Sequence, residues 1–124
     1  MEQVKFFTPK EANQMLPLVK RIVDDILKTG QSIRTHSMTV AKPEEDPEIN
    51  RLMDLLDEYF EELEDLGCSY KDWNFTAGLV DFPCMLDGRE VFLCWQSDED
   101  SVRHYHDVES GFAGRRLIPK ELLS

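Results

Sequence analysis

The chain is poor in basic side chains, in cysteine and in long apolar runs, and each shortage removes a class of function. Lysine and arginine together number 14 against 25 carboxylates, a net charge of −11. Nucleic-acid binding needs cations that displace counterions from phosphates, so no nucleic-acid partner is expected. An anionic membrane surface is an equally poor partner for this charge. No apolar stretch approaches the roughly 18 residues of a membrane span, so no membrane association is expected. The opening run MEQVKFFTPKEANQ lacks the basic region and apolar core of a secretory signal. Cys68, Cys84 and Cys94 are an odd number with no CxxC among them. Without a signal, free thiols in a reducing cytoplasm are the expectation. No GxSxG elbow or serine nucleophile context is found.

What is present predicts an α+β protein, a single domain over 1–124. Apolar residues make up 41% of the 124 and aromatics 10%, enough for one real core. Thr8-Pro9-Lys10-Glu11 combines an N-cap, proline at the first helical position and a glutamate three residues on. Apolar residues then recur from Ala12 through Val19, Val23 and Ile26 to Ile33 at helical spacing. A first helix over 8–38 follows, with a kink or break expected at Pro17. Asp46-Pro47 starts a second helix, 47–66, with its stripe at Ile49, Leu52, Met53, Leu56, Tyr59, Phe60, Leu63 and Leu66, stopped by Gly67. The two form an antiparallel helical hairpin.

Beyond Gly67 the apolar period changes from 3.6 to 2, predicting a small antiparallel β-meander over 69–118. GLVDFP (78–83) reads as a strand ended by Pro83, and Asp87-Gly88 as a hairpin turn. In EVFLCWQ (90–96), Val91, Leu93 and Trp95 face one way and Phe92 and Cys94 the other. Val102 to His106 reads as the next strand, with Val102, His104 and His106 on one face, and 116–118 as a short edge strand.

The charge is unevenly placed. Residues 44–65 hold 11 carboxylates against the single Arg51. A solvated acidic helix face is the plain reading, and a docking face for a basic partner the sharper one.

Residues 103–116, RHYHDVESGFAGRR, hold two of the three histidines, two of the six glycines and three arginines. His104 and His106, two apart on a strand, can both ligate one divalent metal ion, with further donors among Asp81, Cys94, Glu99, Asp107 and Glu109. Beside an apolar strand, Cys94 reads first as a core thiol. Cys84 and Cys94 flank the hairpin and could face each other across it, a weaker zinc arrangement. Arg115 and Arg116 in GFAGRR either pair with nearby carboxylates or form a clamp for a small anionic ligand. Asp81 within GLVDFP is expected to be exposed or capping. If buried, it would need a partner such as Arg89 or Arg115.

The runs FFTPKEANQMLPLVKRIVDDI, GLVDFPCMLDGREVFLCWQ and YHDVESGFAGRRLI resemble the prokaryotic family catalogued as "domain of unknown function 2203". The similarity covers nearly the whole chain outside 34–50. The family carries no established activity and so implies no catalytic residues. Its pattern has a glycine-glutamate pair, an aliphatic residue and an aromatic-tryptophan-histidine run before GFAGR. Glu99, Val102, Tyr105 and His106 take those places here, with Asp98, His104 and Tyr105 standing where the family has glycine, an aromatic and tryptophan. The resemblance implies that a shared site would include His106 and not His104, and would be built from His106, Arg115, Asp81 and Glu99.

Three readings follow. The first is a metal- or anion-binding domain near the third strand and the GFAGRR turn, using His106, Arg115, Asp81, Glu99 and Tyr105, with His104, His106 and Glu109 as metal donors. Metal-assisted or histidine-mediated hydrolysis is the reaction class these residues fit. The second is an interaction or homodimerisation module acting through the acidic hairpin. The third is an accessory protein with no small-molecule site.

Overall fold

The computed structural model describes residues 4–72 and 74–123. Two helices, α1 (Pro9–Ser37) and α2 (Pro47–Leu66), precede five strands: β1 (Ser69–Tyr70), β2 (Leu79–Leu86), β3 (Arg89–Gln96), β4 (His104–Asp107) and β5 (Arg116–Leu117). The strands form one antiparallel sheet in the order β1-β2-β3-β4-β5. No helix among the described residues is long and apolar enough to cross a membrane.

The helix ends are those the sequence encodes. Thr8 Oγ1 accepts from the Glu11 N–H while Glu11 Oε1 accepts from the Thr8 N–H, a reciprocal capping box. Asp46 caps α2 by accepting from the Ile49 N–H, and Gly67, left-handed at φ 97°, closes it.

Two prolines do not end the elements that contain them. α1 runs through Pro17 without a break. A mid-helix proline costs about 3 kcal/mol. Leu16, Val19, Ile22 and Val23 around it are all buried, and each such burial contributes about 2 kcal/mol, so packing wins. β2 likewise continues past Pro83 to Leu86. The Pro83 carbonyl points to the outer edge, where it accepts from the Phe7 N–H at 2.7 Å. The proline nitrogen shares that side, and β1 pairs with β2 only as far as Asp81. No ladder bond is therefore lost.

The inner face of the sheet carries Val80, Phe82, Cys84, Val91, Leu93 and Trp95, packed against the buried stripe of α1 and against Leu56 and Leu63 of α2. Phe7 adds an edge-to-face contact with Phe82 at 5.3 Å. Met53, expected in the stripe, is about half exposed.

The strand expected from Val102 begins at His104. The Asn13 side chain of α1 takes both backbone polar groups of Val102, accepting from its N–H at 2.7 Å and donating to its carbonyl at 3.1 Å. Val102 therefore turns into the core with the helix, while His104 and His106 lie on the outer face.

Candidate metal centre

The outer face of the sheet should be its polar side, yet three of its residues are buried: Asp81, Cys94 and His106. Strand register explains how they meet. Asp81 on β2 stands opposite Cys94 on β3, and His106 on β4 stands opposite Phe92, two residues from Cys94 on the same face. β2 and β4 lie about 9.6 Å apart, two strand spacings. Their side chains close over the small Cys94 side chain between them.

His106 Nε2 lies 3.2 Å from both Asp81 oxygens. Its Nδ1 lies 2.9 Å from the Asp107 carbonyl oxygen. A carbonyl only accepts, so Nδ1 carries the proton. Nε2 therefore faces a buried carboxylate at a separation that either a second ring proton or a metal ion would satisfy. One ligating atom from each of Asp81, Cys94 and His106 lies within 4.8 Å of the others. Burial raises the Asp81 carboxyl above its ordinary range, opposed by the His106 imidazole. Burial, with the Asp81 charge adding to it, pushes the Cys94 thiol up to about 12.

A cavity of about 330 Å³ opens beside these atoms, lined by Lys71, Leu79, Phe92, Val108, Gly111 and Phe112 as well as the three donors. Its cover is the turn after β4. Gly111 there has φ 64° and ψ −166°, a conformation left to glycine.

Arg115 fastens this cover. Its Nη2 donates to Glu99 Oε1 at 2.7 Å and to the Cys94 carbonyl at 3.2 Å, and its guanidinium lies 4.6 Å from the Phe112 ring centre. Glu99 Oε1 also accepts from the Gln96 N–H at 2.7 Å, and its other oxygen lies 3.2 Å from His104 Nδ1. The Trp95 indole donates to the Glu99 carbonyl. Glu99 thus joins the 96–99 turn, β4 and the GFAGRR turn.

The candidate residues divide into two adjacent groups. Asp81 and His106 meet, with Cys94 as their third member. Arg115 and Glu99 meet on the other side of the Cys94 backbone, with His104 beside Glu99. Asp81 is not exposed, and its partner is a histidine rather than an arginine. Arg89 pairs with Asp107, as does Arg116. Both GFAGRR arginines engage carboxylates. His104 lies on the same face as His106 but outside the three-donor group, and Glu109 is exposed outside it. Tyr105 points to the opposite face, against the core. Cys84, paired with Val91, is on the inner face, so it cannot meet Cys94. Cys94 is buried as a core thiol would be, but among polar groups on the outer face. The available signal was its alternation phase, shared with Asp81 across the hairpin.

A family model described as "Uncharacterized conserved protein (DUF2203)" matches residues 5–118. The chain belongs to this family. The DUF2203 match spans both helices and all five strands, and so includes Asp81, Cys94 and His106. No curated protein and no solved structure matches the chain.

Proposed function

We propose that this DUF2203 protein binds a divalent transition-metal ion through Asp81, Cys94 and His106. The observation that carries the reading is the His106–Asp81 geometry. A single charge-assisted N–H···O contact is about 2.8 Å long. Two equal separations of 3.2 Å fit donors around a larger cation. Nitrogen and oxygen ligands about 2.1 Å from a tetrahedral ion stand about 3.4 Å apart. The bond from Nδ1–H to a backbone carbonyl is one that usually fixes the tautomer and ring orientation of a ligating histidine. Oxygen, sulfur and nitrogen donors together suit zinc or a neighbouring first-row ion. Three protein donors leave a fourth position for water or ligand, as in catalytic rather than closed structural zinc sites, and metal-assisted hydrolysis is the reaction class such a site serves.

The test is metal analysis by plasma mass spectrometry on untagged protein purified without chelator, with reconstitution by zinc or cobalt. One ion per chain is expected, lost in His106→Ala and in Cys94→Ser with the far-ultraviolet spectrum unchanged. Wild-type protein that neither carries nor takes up metal sinks the reading and leaves a buried imidazolium–carboxylate pair.

The interaction-module reading draws on the exposed Leu18, Met38 and Met53 of the helical hairpin. The native mass of the same sample reads it directly, since a homodimer doubles the mass.

A further inference from the structure

The cavity beside the three donors has a composition of its own, and it narrows what could enter. We infer that it takes a small monocarboxylate with an apolar body, its carboxylate directed at the metal position and at Lys71. The inference rests on the metal-binding reading above and adds the ligand class.

Charge sets the first limit. A divalent ion held by the Asp81 carboxylate, the Cys94 thiolate and a neutral His106 has no net charge. Lys71, on the cavity lining and within electrostatic reach of Asp81, adds one positive charge. One anionic group balances the site. A phosphate dianion over-fills it and finds no second cation among the described lining residues; the nearby Arg115 and Arg116 are both engaged by carboxylates. Glu99, which holds Arg115, also excludes negative charge from that side.

The walls set the second limit. Leu79, Phe92, Val108 and Phe112 line the space, and none offers a side-chain hydrogen bond. A sugar or another polyhydroxylated ligand would leave its hydroxyls unpaired there, whereas an alkyl or aryl body is favoured.

Size sets the third. At about 30 Å³ for each water-sized group, a cavity of about 330 Å³ holds about ten non-hydrogen atoms. Hexanoate and benzoate fall within that limit and long-chain fatty acids do not.

The experiment uses the full chain loaded with cobalt, so that the visible spectrum of the ion reports on its fourth ligand. Metal content is measured on the same sample. Hexanoate and benzoate are titrated beside hexanol and inorganic phosphate. Saturable spectral change with both carboxylates is expected, with phosphate and hexanol at least tenfold weaker. Lys71→Met should weaken carboxylate binding about tenfold at unchanged cobalt stoichiometry. Val108→Trp, a substitution at an exposed lining position, should block it by filling the space. Cobalt bound at one ion per chain with no response to either carboxylate overturns the inference and leaves the metal reading standing. Phosphate binding more tightly than the carboxylates overturns it as well. A chain that takes up no cobalt overturns both.

Discussion

Asn13 holds Val102 by both its backbone groups, across 89 positions of sequence. One amide side chain replaces the ladder bonds that Val102 gives up by leaving the sheet, and it ties α1 to the chain just before β4. Val102 is fully buried, so bulk water does not satisfy these groups. Asn13→Ala should cost about 2 kcal/mol, seen as a fall in Tm of about 8 °C. Asn13→Asp should cost at least as much, because a carboxylate cannot donate to the Val102 carbonyl. A loss below about 0.5 kcal/mol in urea melts would contradict this role.

Cys94 matters for its size as well as its sulfur. It is the small residue over which Asp81 and His106 close. Cys94→Ala should keep the pair together and lose only the thiolate. Cys94→Leu should drive the two apart and overpack the outer face, costing about 2 kcal/mol. The nitrogen chemical shifts of His106 check this. Alanine should leave the Nε2 shift near its wild-type metal-free value, and leucine should move it.

A buried carboxylate retained for structure and one retained for a ligand respond differently to amidation. Asp81 has its folded-state pKa raised, mainly by burial. Such a group favours folding only when protonated, and that contribution is lost as pH rises through the folded pKa. At neutral pH its charge therefore works against the metal-free fold. Asp81→Asn should leave stability equal or raise it by about 1 kcal/mol, while abolishing metal uptake. A loss of 3 kcal/mol or more, the order expected for breaking a buried ion pair, would assign the pair a purely structural role.

The helix caps carry the opposite sign. Glu11 and Asp46 have folded-state pKa values lowered below 4.5 and 3.8, each first by a backbone hydrogen bond, from Thr8 and Ile49 respectively. Their contributions are complete above those ordinary values and are lost as pH falls through the lowered ones. Glu11→Gln should flatten the acid limb of the stability curve below about pH 4.5 and leave its slope near pH 7 unchanged. Urea midpoints between pH 3 and 7 check it.

The order of elements was legible because each rests on local chemistry. The Thr8 and Asp46 caps, Gly67 and the Asp87-Gly88 turn act within a few residues of themselves. The site was half legible. His106 and Asp81 stood out as polar residues in apolar strands, but nothing local says that Asp81 is covered. That follows from the 108–114 turn folding back under the hold of Arg115 on Glu99, 16 residues away. The facing of Val102 is set at long range too, since its hydrogen-bond partner Asn13 lies on α1. Tyr105 and Glu109 lie close to His106 along the chain, but alternation places Tyr105 against the core and Glu109 is exposed.

The three donors come from three successive strands, and side-chain direction in a strand reverses with every residue. Sliding β4 by one position against β3 would carry His106 to the helix side and bring Tyr105 or Asp107 outward. Only one alignment of the meander presents all three donors together. An ion bound there would act as a proofreader of strand alignment, adding its binding energy to the correct pairing and to no other. In the two short strands at the end of the sheet, four and two residues long, that selection would matter most.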